Sequence, residues 1–214
     1  MKNLLKGILE FREKRREKLR PTFARLALGQ KPDALFIACS DSRVAANVFA
    51  STNPGEMFVM RNVGNLVPPP EQDTGEGEAV AAALDYAVEV LKVRNIIVCG
   101  HSHCGAMIAT LKGRAKAPTP AIKRWLRFVE PALKRLGRKP VDEDELGRVN
   151  VLSQLDHLRQ HKSVAKRLKQ GKLAVHGLWF DLKQLEVEYI DPNEAVWHDL
   201  DRKTVSMLLK RLPH

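Results

Sequence analysis

The sequence predicts an α/β protein: a central, mainly parallel β-sheet flanked by helices, with an N-terminal helical arm. The two runs "ALFIACS" and "NIIVCGH" are short, unbroken and apolar, the pattern of strands buried on both faces. Between them "EAVAAALDYAVEVLK", rich in Ala and Leu, reads as a buried helix, so strands alternate with helices through the first half. A chain of 214 residues, 44% of them hydrophobic, can bury a sizeable core as one domain with appendages.

Residues 1–29 read as one or two basic amphipathic helices broken near Pro21. Leu4, Leu5, Ile8, Leu9 and Phe11 form an apolar stripe that such an arm cannot bury alone, so it is expected to dock on the main body or on a partner subunit. Residues 30–214 are then the main α/β domain. "ALFIACS" is the first strand, and "EMFVMRNVGNLV", after a Pro-Gly turn, is a second strand running into a loop. The polar loop "PPPEQDTGEG" leads into the helix over 78–92, and "NIIVCGH" is the third strand. "CGAMIATLKG" begins a short helix ended by Gly113. Helical stretches near 119–137 and over 142–170 precede "KLAVHGLWFDL" and "LEVEYI", a pair of strands around Lys183-Gln184.

The formal charge of +11 raises nucleic acid or an anionic membrane surface as a partner. It concentrates in "FREKRREKLR" and in "LKGRAKAPTPAIKRWLRFVEPALKRLGRKP", neither of which interleaves aromatics at regular spacing as a base-stacking groove does. The reading is therefore a solvated basic surface that can draw small anions to a cleft, with nucleic acid an unlikely partner. The opening "MKNLLKGILEF" is interrupted by Lys6 and Glu10 and lacks a small-residue cleavage site. No run approaches the roughly 18 apolar residues of a membrane span. Three cysteines, odd in number, point to a reducing compartment, the cytoplasm.

In open α/β sheets ligands bind beyond the carboxyl ends of the strands. One such end, "ACSDSR", releases Cys39, Asp41 and Arg43; another, "CGHSHCG", releases His101, His103 and Cys104. Cys39, His101 and Cys104 make two thiolates and an imidazole, a set suited to Zn²⁺, and three protein ligands leave a tetrahedral ion one open position, the mark of a catalytic site. Cys99, facing into the sheet, reads as packing. His103 is the rival of His101, which the strand geometry favours. Asp41 is placed to accept a hydrogen bond from a zinc-bound water, with Arg43 holding it ionised.

C-x-D-x-R followed further along by H-x-x-C resembles the β-class carbonic anhydrases. "PGEMFVMRNVGNLVPP", "ALDYAVEVLKVRNIIVCGHSHCGAM" and "GKLAVHGLWFDL" are similar to family segments in family order. The resemblance implies zinc as cofactor on Cys39, His101 and Cys104, an Asp41–Arg43 dyad, and a dimer as the minimal unit of a homodimer or homotetramer. It implies reversible hydration of CO2 to bicarbonate in a zinc-containing catalytic domain. Gln30 matches a glutamine of the family's plant-like branch that donates to bound bicarbonate. Phe58, Val63 and Tyr86 match that branch's apolar pocket, part of which, Gln30 included, comes from the neighbouring subunit. Phe36 and Ala38 stand where the other branch has a tryptophan and a glycine for regulatory bicarbonate. The backbone N–H of Gly105, near a helix start, is a further expected anion donor. The alternative activities are CS2 or COS hydrolysis on the same zinc and, from a different class, a non-catalytic zinc module that binds nucleic acid. Asp41 can serve as the orienter of the fourth metal position or as a ligand in it. A glycine-free turn at Lys183-Gln184 leaves the last hairpin without its easiest positive-φ residue.

Overall fold

Side chains of the first strand β1 (Ala34–Cys39) alternate between two apolar groups, because successive residues of a strand face opposite sides. Leu35 and Ile37 pack with Leu84, Val88, Ile96, Val98, Val151 and Leu155 on one face, whereas Phe36 and Ala38 pack with Val44, Cys99 and Phe180 on the other. Every residue of β1 is buried, as the unbroken apolar run requires. The computed structural model describes residues 1–70, 75–140, 142–191 and 195–210. Residues 71–74 of the expected polar loop lie outside the described residues.

The sheet has the order β2-β1-β3-β4-β5-β6, with β2 (Met57–Asn62), β3 (Asn95–His101), β4 (Ala174–Phe180), β5 (Val187–Asp191) and β6 (Val196–Asp199). β2, β1, β3 and β4 run parallel, and β5 and β6 add antiparallel strands at one edge. The chain leaves β1 toward β2 on one side, then returns past it to β3 on the other. The two carboxyl ends at this reversal form the crevice where open α/β sheets place their ligands. Helices α3 (Ala46–Phe49), α4 (Glu78–Asp85), α5 (Gly105–Leu111), α6 (Pro120–Trp125), α7 (Glu130–Leu136), α8 (Glu143–Gln160) and α9 (Lys162–Lys169) connect the parallel strands.

Several expectations are refined. The arm is helical as α1 (Lys2–Glu10) and α2 (Arg16–Leu26), but it does not break at Pro21, which sits inside α2. The Glu17 carbonyl that Pro21 cannot serve lies on an exposed turn where water can bond it. The irregularity lies upstream instead, in a π-helical turn over Phe11–Arg15 where Arg16 N–H bonds the Phe11 carbonyl. The helix from Glu78 is only half covered: Val80, Leu84, Ala87 and Val88 are buried, while Ala79, Ala82, Tyr86 and Val90 face outward.

The last parallel strand turns into β5 through a longer loop than two residues. Asp181 Oδ1 accepts from the N–H groups of Lys183 (2.7 Å) and Gln184 (2.8 Å), and Leu185 takes the positive φ of 57° that a glycine supplies more easily. β6 and the terminal α10 (Arg202–Leu209), capped by Asp201 on the Thr204 N–H, extend the fold past the pattern read from the sequence.

Candidate metal centre

Cys39 is the last residue of β1, His101 the last of β3, and Cys104 the cap from which α5 starts. The strand ends and the helix start therefore converge at the crevice between β1 and β3. The two sulfurs lie 4.0 Å apart, and the ligating atoms of all three side chains fall within 4.8 Å of one another. All three residues are buried.

His101 Nδ1 lies 2.9 Å from the Ser102 carbonyl. A carbonyl only accepts, so this contact assigns the ring proton to Nδ1 and leaves a lone pair on Nε2. That Nε2 is buried and has no hydrogen-bond partner among the described residues. A buried lone pair costs free energy unless something fills its place, and two sulfurs beside it make a soft cation the fitting occupant. The Cys104 thiol beside it, with the Gly64 N–H, holds Cys39 well below the ordinary thiol range against the opposing effect of burial. Cys104, against that charge and itself buried, is pushed up. Cys99 differs: burial alone pushes it up to about 12, so it stays a thiol and packs.

Asp41 and Arg43 form a bidentate pair, Nε to Oδ1 at 2.9 Å and Nη2 to Oδ2 at 2.7 Å, and Arg43 N–H also donates to Oδ1 at 3.0 Å. Arg43, chiefly through these hydrogen bonds, holds the Asp41 carboxyl far below its usual range. Asp41 is thus paired with Arg43 in the structure. Arg61 adds donors to the carbonyls of Cys39 (3.0 Å) and Asp41 (2.7 Å), fixing the backbone between ligand and dyad.

His103, the rival ligand, is exposed, adopts a positive φ of 53° and bonds Glu143 at 3.1 Å. Its N–H donates to Asp144 at 2.6 Å and its carbonyl accepts from Arg43 at 3.1 Å. The residue between His101 and Cys104 is thus pinned with its side chain on Glu143, and it is His101 that clusters with Cys39 and Cys104.

The loop after β2 closes the cup. Gly64 N–H donates to Cys39 Sγ at 3.3 Å. Gly64 has a φ of +83°, and a Cβ there would lie 2.9 Å from Ala106 Cβ, so only glycine permits the approach. Helix α8 grips this loop with a buried polar stripe: Asn150 to the Gly64 carbonyl (3.3 Å), Gln154 Oε1 to the Val67 N–H (2.7 Å), His157 to the Val67 carbonyl (2.8 Å) and, just past its end, His161 to the Pro68 carbonyl (3.0 Å). None of these four emerged from the sequence reading. Their recurrence on one helical face was the available signal.

Residues 34–187 match the carbonic anhydrase family. The carbonic anhydrase of Pseudomonas aeruginosa is 40% identical over 196 residues, covering 89% of this chain and 88% of that protein. A solved structure of the β-carbonic anhydrase CcaA superposes with a TM-score of 0.85 at 34% identity, covering 93% of this chain and 98% of that one. The chain belongs to the β-class carbonic anhydrases. Two tetrameric β-carbonic anhydrases of Sordaria macrospora supply a further solved structure, with a TM-score of 0.78 at 26% identity over 88% of this chain and 95% of that one.

With the β-carbonic anhydrase fold established, the residues expected to line the pocket divide into two groups. Val63, exposed next to Gly64, and Gly105, the first residue of α5, lie on the metal side. Phe58 and Tyr86 lie together, ring centroids 5.8 Å apart, and Phe58 pairs with Leu35 near the amino end of the sheet. Gln30 is exposed and precedes β1. From Ala34 to Cys39, β1 spans about 16 Å at 3.3 Å per residue. Gln30 thus precedes the amino end of β1, whereas Cys39 ends it.

Proposed function

We propose that this β-carbonic anhydrase catalyses the reversible hydration of CO2 to bicarbonate and a proton, with zinc held by Cys39, His101 and Cys104. The observation that carries the reading is the buried, unpartnered Nε2 of His101 beside two sulfurs. Zinc in a three-ligand site supplies a Lewis acid that lowers the pKa of water from 15.7 to about 7.

The remaining work falls to the chain. Asp41, kept ionised by Arg43, retains lone pairs to accept a hydrogen bond from the attacking oxygen and so orients it toward carbon. Val63, with Phe58 and Tyr86 of a second copy, lines an apolar pocket that admits CO2. Gln30 of the second copy and the Gly105 N–H steady the developing anion.

Such a site requires at least a homodimer, and a homotetramer accommodates two such dimers. Leu4, Leu5, Ile8 and Leu9 are 61, 57, 56 and 53% exposed, an apolar stripe with no cover in its own chain. The arm over 1–29 then serves assembly, and residues 30–214 form the zinc-containing catalytic domain. No helix among the described residues is long and apolar enough to cross a membrane. Three unpaired cysteines suit a reducing compartment such as the cytoplasm. A non-catalytic zinc module needs a fourth protein ligand, and among the described residues the metal-binding cluster at this site contains three.

Stopped-flow measurement of CO2 hydration, on metal-stripped and zinc-restored protein, tests the proposal. The same samples are assayed for CS2 and COS hydrolysis by sulfide release and for salt-sensitive DNA binding. Hydration that zinc restores supports the reading. Sulfide release without hydration, or DNA binding without either activity, rejects it.

A further inference from the structure

We propose that Trp125 is a positioning residue of the metal centre, acting on Cys39 through the peptide group that joins Val63 to Gly64. The indole N–H of Trp125 donates to the Val63 carbonyl at 2.7 Å. The N–H of that same peptide, on Gly64, donates to Cys39 Sγ at 3.3 Å. Both ends of one amide are thus engaged, a donor at its oxygen and a sulfur acceptor at its hydrogen. A hydrogen bond received at the carbonyl polarises the amide and strengthens its N–H as a donor, so the two bonds reinforce each other.

The peptide has little freedom to do anything else. The glycine-only approach to Ala106 sets its position, and Asn150 holds the next carbonyl at 3.3 Å. Trp125 is fixed in turn. Its ring meets Phe128 edge-on with centroids 5.6 Å apart. Its helix α6 begins at Pro120 behind a Thr119 cap, and Arg124 ties the helix to Glu76 at 2.9 Å. The indole is therefore the outer end of a relay whose inner end is a metal ligand. The inference rests on the reading of Cys39 as that ligand.

An N–H bonded to a metal thiolate withdraws electron density from the sulfur and fixes its direction. Weakening it makes the sulfur a stronger donor to the metal and leaves the ligand less well held. Cobalt(II) in place of zinc reports the first effect through its sulfur-to-metal charge-transfer absorption. Chelator-driven metal release reports the second. Trp125→Phe removes the N–H and keeps an aromatic ring; benzothienylalanine introduced at position 125 keeps the bicyclic shape and removes only the donor.

In both variants the charge-transfer band moves to longer wavelength and metal release quickens about tenfold, the lower end of the range for partners that orient metal ligands. If both leave band and release rate unchanged, or if only Trp125→Phe alters them, the indole serves by its shape and the proposal fails. If the unaltered chain itself takes up no cobalt or shows no sulfur band, the metal centre fails first and the relay with it. That result appears in the parent protein and is distinguishable from failure of the relay alone.

Discussion

The two ends of the parallel sheet are finished differently. At the carboxyl end Cys39, His101 and Cys104 are buried, Asp41 is paired with Arg43, and the loop over Val63–Pro68 is held by α8. At the amino end Gln30 and Tyr86 are exposed; the apolar stripe of α1 and the outer face of the helix from Glu78 are exposed as well. The first end is complete within one chain. The second has the composition of an interface without its other half. On the proposed function, the metal residues come from a single chain and the apolar pocket needs the second copy.

The largest effects come from breaking the complete end. Cys39→Ala removes a ligand, and we expect metal content and CO2 hydration both to fall to background. Gly64→Ala forces a Cβ onto Ala106 and strains a φ of +83°. It is expected to weaken metal retention about 10- to 100-fold in a chelator competition, the range for partners that orient metal ligands. Asp41→Asn leaves the metal in place and lowers kcat about 100-fold, the loss expected for one positioned polar group in a transition state.

The Asp41 pairing also fixes a sign of pH dependence. Its folded pKa lies below the unfolded value of about 3.9, because Arg43 bonds the charged form. Its contribution is present above that value and is lost only as the pH falls through the lowered one. Asp41 accordingly adds no inflection to the hydration profile between neutral and mildly acidic pH, a point that a rate titration checks.

Much of this contrast was legible in the sequence. Unbroken apolar runs located β1 and β3, as strands buried on both faces, and the thiol and imidazole residues at their ends are the ones that the fold gathers into one cluster. The α8 stripe was not legible in this way. Asn150, Gln154, His157 and His161 look like an ordinary polar helix face until the loop that they bond is folded against them. Nor could apolar composition reveal that the helix from Glu78 would be covered on only one side by its own chain, since residues for an interface and for a core are chosen by the same chemistry.

The exposed end gives subtler effects. Leu5→Asp with Ile8→Asp places charge in the arm stripe; we expect a smaller sedimenting species with metal content unchanged. Loss of metal in that variant would contradict the division between the two ends. The smallest effect concerns α8. Burial lowers the pKa of His157, so the unfolded chain binds the proton more readily and stability falls as the pH drops below about 6.5. His157→Gln should flatten part of that slope in urea titrations, at the cost of about 1 kcal/mol at neutral pH for the altered hydrogen bond to Val67.

Whether one active site draws Cys39 from one chain and Gln30 from another is tested most directly in a hybrid. A Cys39→Ser chain and a Gln30→Ala chain, carrying different affinity tags, are co-expressed and the mixed oligomer is isolated. One of each pair of sites then has an intact Cys39 and, across the interface, an intact Gln30. The account predicts that the hybrid recovers about half of the natural activity by the symmetry of the interface, well above either parent variant. A hybrid no more active than the Gln30→Ala parent would contradict it.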